Sequence, residues 1–309
     1  MFDYSYNVAR IAALESRLVT KEVLSRLSAS SADEAVKQLA AAGYGDLSAS
    51  TCGELVSYEQ SKLRSFLFSA LPEELSRILV LPYDCHNLKV LLKCCVLGKE
   101  PEGMLYDNTV FDAELAYACC RGGEFSLLSD RIAETLNRAY DSGELSTPFG
   151  ISVNCDLAFY KEIAFYAGNA PEIIKKYVKY EADHTNYVSY LRAFSIGLSA
   201  DAFKKMLLPG GFIPAGVFCA AYEAKPDSIR PYTFGYETHD GITAAEEAAK
   251  TSVNAASDAL DASTEALLEA EKYEINSAVP IFIYNKKKIR EARLIRTYFA
   301  ESEALWKRK

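Results

Sequence analysis

Three histidines, His86, His184 and His239, and eight cysteines are the residue types best suited to catalysis or metal binding in this 309-residue chain. Asp183-His184 could open a metal-dependent hydrolase site. Such a site needs several further His or Asp ligands from facing helices, and three histidines in all leave that supply thin. The cysteines include two adjacent pairs, Cys94-Cys95 and Cys119-Cys120, on apolar stretches with helical spacing. Neighbouring cysteines rarely bridge each other, and no Cys-x-x-Cys occurs, which argues against zinc ribbons and thioredoxin-like redox chemistry. Gly210-Gly211 follows a proline outside any phosphate-loop setting, and neither Gly-x-Ser-x-Gly nor Gly-x-Gly-x-x-Gly is present. No catalytic, cofactor-binding or metal-binding residue is singled out. The abundance of tyrosine and phenylalanine, 20 and 15, favours a binding role over catalysis.

Half the residues are hydrophobic and a quarter charged, which excludes disorder as the main state. The longest uncharged apolar run, near Ala215–Ala221, is far short of the ~20 residues that cross a bilayer. The opening Met1-Phe2-Asp3-Tyr4 carries an early acid and no apolar core, so no secretory signal and reduced thiols are expected. The net charge of −8 argues against nucleic acid as a partner. Basic residues gather at the end, where Tyr284–Lys309 holds nine of them against three acids. A basic end on an acidic body suits docking to an acidic partner, and equally suits a solvated helix face.

The elements that position these residues read as helices. Five stretches without proline carry apolar residues at helical period, as in Ile11, Leu14 and Leu18. Ser31-Ala32-Asp33-Glu34 reads as a capping box opening a helix that stops at Gly43. Thr243–Tyr273 reads as one long, mostly exposed helix. Alternation at Tyr232–Tyr236 fits a strand or an ordered loop.

A repeat emerges from short windows. Asp84-Cys85-His86-Asn87-Leu88-Lys89-Val90-Leu91-Leu92-Lys93 matches Asp183-His184-Thr185-Asn186-Tyr187-Val188-Ser189-Tyr190-Leu191-Arg192, with the asparagines 99 residues apart. A weaker third copy places Glu291-Ala292-Arg293 where Asn87-Leu88-Lys89 stands, a further 105 residues on. Apolar stripes accompany all three copies, including Ala292, Ile295 and Phe299 in the last. The spacing predicts an all-α protein of three pseudo-three-fold-related helical repeats, over 1–105, 106–208 and 209–309. Asp84 and Asp183 read as polar groups at the starts of their helices. Beside each stripe lies a polar set: Asn87, Lys89 and Lys93; Asn186 and Arg192; Arg293 and Arg296. These seven residues are the candidate partner contacts, with helix ends and inter-repeat contacts as the competing role.

The run Tyr83–Lys93 resembles the signature of a family of V-type/A-type rotary ATPase (ATP synthase) components, the C subunits, to which the d subunit of eukaryotic V-ATPases also belongs. Tyr6–Glu15 is similar to that family's first helix, Asp183–Arg192 to its second-repeat motif, and Leu208-Pro209-Gly210-Gly211 to the following turn. The third copy departs, with Lys288 and Glu291 where the family usually shows an acid and Asn. The resemblance implies a funnel-shaped, non-catalytic central-rotor adaptor without a cofactor, on the cytoplasmic side of the membrane. It implies the central-shaft subunits and the membrane proteolipid ring as partners, and torque transmission for ATP-coupled proton or sodium transport. A general helical scaffold of another complex and a helical metal-dependent hydrolase are the rival classes.

Overall fold

The computed structural model describes residues 2–25, 27, 31–274 and 276–306. Among them every regular element is helical. The chain opens with α1 (Ser5–Glu15), α2 (Lys21–Ser25), α3 (Ala32–Ala41) and α4 (Cys52–Ala70). It continues through α5 (Glu73–Leu97), α6 (Ala113–Gly122), α7 (Asp130–Asp141), α8 (Pro148–Gly168) and α9 (Glu172–Ser195). The remainder is α10 (Ala200–Met206), α11 (Ala215–Ala224), α12 (Arg230–Thr233), α13 (His239–Ala249), α14 (Val253–Glu269) and α15 (Val279–Trp306). Their starts follow cap chemistry. Ser31 accepts the Glu34 amide, Thr51 that of Glu54, Ser129 that of Ile132 and Ser252 that of Ala255.

Two expectations change. Thr243–Tyr273 is not one helix, because Ser252 caps α14 three residues after α13 ends. The paired α13 and α14 bury Ile242, Ala245, Ala256, Leu260 and Leu268, so the segment is half core. Tyr232–Tyr236 holds the end of α12 and a turn.

The chain divides into two compact units. The first takes Met1–Leu79, Tyr106–Asn108 and Lys272–Lys309. Here α15 packs along α4 and α1, and its Ala292, Ile295 and Phe299 share a core with Val19, Leu24, Val36, Leu39 and Leu55 of the N-terminal segment. The buried Arg64 holds Tyr106–Asn108 to this unit by donating to the Asp107 carbonyl at 2.6 Å and carboxylate at 2.5 Å.

The second unit, Val80–Leu105 and Thr109–Glu271, contains two cores. One joins Leu88, Leu91 and Leu92 of α5 to α6, α7 and α8. The other joins Tyr187 and Tyr190 of α9 to α10, α11, α13 and α14. Each of the three stripes read from the sequence therefore sits in a core of its own. The cysteine pairs lie on α5 and α6, and five of the eight thiols are buried.

Candidate partner-contact site

Asp84 and Asp183 do not cap their own helices. α5 begins at Glu73 after Pro72 and α9 at Glu172 after Pro171, so each Asp is the twelfth residue of its helix. Both carboxylates are instead aimed at the backbone of a later segment. Asp84 accepts the Val110 amide at 3.0 Å and the Phe111 amide at 2.8 Å. Asp183 accepts the amides of Phe212 at 3.0 Å and Ile213 at 3.2 Å, and the Thr238 hydroxyl at 2.9 Å. Phe111 immediately precedes Asp112, the N-cap of α6, and Ile213 immediately precedes Pro214, the N-cap of α11. In each case a buried carboxylate fixes where the next ten-residue helix begins.

Burial pushes the Asp183 carboxyl up to about 6, against the hydrogen bonds from Thr238, Ile213 and Phe212 that favour its charged form. The turn before α11 is built around this group. Gly210 adopts a left-handed φ of 81°, and a Cβ on Gly211 would stand 2.0 Å from Asp183 Oδ1.

Asn186 is fully buried and holds the same turn. Its amide donates to the Leu208 carbonyl at 2.9 Å and accepts the Leu208 N–H at 2.7 Å. Asn87 is buried as well. The histidines have local partners: His184 Nδ1 lies 3.1 Å from the Thr264 hydroxyl, His239 Nδ1 3.0 Å from Thr233, and His86 Nε2 3.3 Å from the Met104 carbonyl. Among the described residues, no group of three or more His, Cys, Asp or Glu could hold a metal ion.

The third copy does the equivalent work in the first unit with different chemistry. Lys288 stands at the Asp position, and the carboxylate comes from Glu291, one helical turn further along α15. Glu291 accepts the Val19 amide at 2.6 Å, and Val19 lies two residues before α2. Lys288, itself buried, pairs with Glu291 at 2.5 Å and with Glu59 of α4 at 2.8 Å. Burial works against the Lys288 ammonium, yet Glu291 and Glu59 together raise its pKa. Burial likewise pushes Glu59 up, but Lys288 and Lys62 outweigh it and hold the carboxyl below the usual range. For Glu291 burial prevails and the pKa is raised.

The bases are placed unevenly. Lys89 is engaged by Asp156 at 2.5 Å on the α5 side of the second unit. Lys93 and Arg293 are half-buried, while Arg192 and Arg296 are exposed. Of the C-terminal basic run, Lys286 and Lys288 are buried rather than solvated, and Lys307, Arg308 and Lys309 lie outside the described residues. Sequence patterning does not point to Asp156, Glu59 or Thr238. Each is distant in the chain from the motif it serves, so the ten-residue windows carry no signal for them.

A family model for the ATP synthase (C/AC39) subunit matches residues 7–298. The chain belongs to that family. No curated relative matches it. The match takes in α5, α9 and most of α15, so this C/AC39 chain is a subunit of the V/A-type ATPase class. Among the described residues no helix is long and apolar enough to cross a membrane.

Proposed function

We propose that this C/AC39 chain is the non-catalytic central-rotor adaptor of its ATPase. It links the central shaft to the cytoplasmic face of the proteolipid ring and passes torque between ATP turnover and proton or sodium movement. The observation that carries this reading is the thrice-used device on α5, α9 and α15. In each, a carboxylate of the motif helix holds an amide at or just ahead of the start of another helix: α6, α11 and α2 in turn. Three copies of one helical unit would offer similar surfaces to a ring and to a shaft. On this reading the third copy is completed by the N-terminal helices α2 and α3.

The shaft-facing surface would be carried by the bases that reach solvent: Arg192, Arg296, and the half-buried Lys93 and Arg293. Asn87, Asn186 and Lys89 would hold the framework beneath it. Rim charges of this kind govern association rate and salt sensitivity more than fold.

The test is to reverse Lys93, Arg192 and Arg296 to Glu together and compare thermal stability with binding to the isolated shaft subunits. The reading expects at least tenfold weaker binding with the melting temperature nearly unchanged. Unchanged binding would move the docking surface elsewhere.

A further inference from the structure

The first and second motif helices end alike. Gly98 and Gly197 take left-handed φ values of 62° and 64°. Gly98 N–H reaches the Cys95 carbonyl and Lys99 N–H the Cys94 carbonyl, as Gly197 and Leu198 reach those of Phe194 and Ala193. α6 and α11 also match, closing on left-handed Gly123 and Lys225 whose N–H groups bond Cys119 and Ala221. Position by position, Cys95 therefore corresponds to Phe194 and Cys120 to Tyr222.

The two neighbourhoods differ in what fills them. After Gly197 the connection contains α10, and its Phe203 is fully buried, stacked on Tyr222 at 4.3 Å and edge-on to Tyr190 at 6.0 Å. Tyr222 also packs on Phe194 at 6.1 Å, and its hydroxyl donates to the carbonyls of Ala193 and Leu198. The connection after Gly98 is three residues shorter and contains no helix before α6. Where the second copy has three large aromatic rings, the first has Cys95, Cys120 and a turn. The space left is an open groove of ≈ 760 Å³, lined among others by Leu92, Cys95, Tyr117 and Cys120.

Charge marks its rim. Lys99 and Arg121 are exposed on the groove wall, with the Arg121 guanidinium 3.9 Å from the centre of the Tyr117 ring. The one acid on the wall, Glu100, already accepts the Tyr117 hydroxyl at 3.1 Å.

We propose that this groove docks a segment of a partner protein: a short amphipathic helix with one aromatic anchor and acidic residues beside it. The anchor would take the place that Phe203 takes in the second copy, and the acids would meet Lys99 and Arg121. An aromatic side chain seated in a preformed pocket is the usual energetic centre of such a contact, and a helix laid in an apolar groove is a recurrent mode of peptide recognition. Complementary charge at the rim sets approach and register.

The probe is a fluorescein-labelled peptide with the sequence of residues 199–208, carrying Lys204→Glu and Lys205→Glu to supply the acids. It is titrated by anisotropy against the full chain, whose own α10 remains in place with Phe203 seated in the second copy. The proposal expects saturable binding that weakens at least tenfold when the peptide also carries Phe203→Ala, and that weakens further as salt is raised. A chain with Cys95→Phe and Cys120→Tyr, which fills the groove from within, should lose the same tenfold. Should that chain fail to melt cooperatively, Lys99→Glu with Arg121→Glu, both exposed, replaces it with the same expectation. Equal binding of the alanine peptide, or binding indifferent to these chain variants, overturns the proposal. A concentration-dependent dimer in sedimentation that disappears in the groove variants would assign the groove to a second copy of this chain and overturn it too.

Discussion

The second unit and the first solve one problem in two ways. In the second, the entry to the next helix is held by neutral donors: Asp84 accepts two backbone amides, and Asp183 accepts backbone amides and a threonine hydroxyl. In the first, the carboxylate is a longer Glu291 one turn along, and a buried Lys288 ties it to Glu59. Neutral donors leave Asp183 with its burial under-compensated, and its pKa climbs to about 6. The lysine instead joins two carboxylates and an amide bond into one charged cluster, which couples α15 to α4 as well as to the chain entering α2. A shared local task thus does not fix the electrostatics that perform it, and the two solutions respond differently to mutation and pH.

The largest effect should come from the charged cluster. Lys288→Met leaves Glu291 buried without its cation and Glu59 with only the more exposed Lys62, and should cost about 3–5 kcal/mol of unfolding free energy in urea melts. Adding Glu59→Gln and Glu291→Gln should recover more than half of that loss, because the uncompensated charges are gone. No recovery would mean that packing of the lysine stem, and not its charge, holds the first unit.

Next come the neutral-donor sites. Asp183→Ala strands two amides and a hydroxyl and should cost roughly 2–4 kcal/mol. Gly211→Ala should have an effect of similar size without touching the carboxylate itself, because the new methyl must displace Asp183 Oδ1. If Gly211→Ala melts like the parent chain, the turn is not built around this carboxylate.

The pH response follows from the same group. Because burial raises Asp183 from its ordinary 3.8 to about 6, the folded chain holds that proton more tightly than the unfolded one. Its contribution to stability is therefore fullest below about pH 4 and falls by roughly 2–3 kcal/mol as pH rises through 6. Asp183→Asn cannot ionise and should flatten that part of the stability profile, as followed by urea melts from pH 4 to 7. A slope unchanged by the substitution would assign the titration to other carboxyls.

The smallest effect belongs to Lys89→Met. Its partner Asp156 is 44% exposed, so solvent screens the pair and the loss should stay below about 1 kcal/mol.

Much of the fold was legible in the sequence. Ser31 signalled its cap, the stripes at Leu88, Tyr187 and Ala292 signalled three cores, and the 99-residue spacing signalled the pairing of α5 with α9. The role of the aspartates was not. Asp84 stands two residues after Pro82, but that proline lies inside α5, whose start follows Pro72. The boundary between α13 and α14 carries neither Gly nor Pro and shows only as the Ser252 cap. The candidate site was legible as a motif but not as a geometry. Partners such as Thr238, 55 residues from Asp183, and Glu59, 229 residues from Lys288, are brought in by tertiary packing that no local window contains. For the same reason the polar set splits, with Asn186 turned to the backbone of Leu208 while Arg192 on the same helix faces solvent.

On the proposed reading, this C/AC39 chain couples the two halves of its machine. The direct measurement is ATP-driven ion uptake into membrane vesicles prepared with the chain deleted, and again after the purified chain is added back. The adaptor reading predicts ATP hydrolysis without ion uptake in its absence and recovery of uptake on addition. Uptake that persists without the chain, with the remaining complex intact, would contradict it.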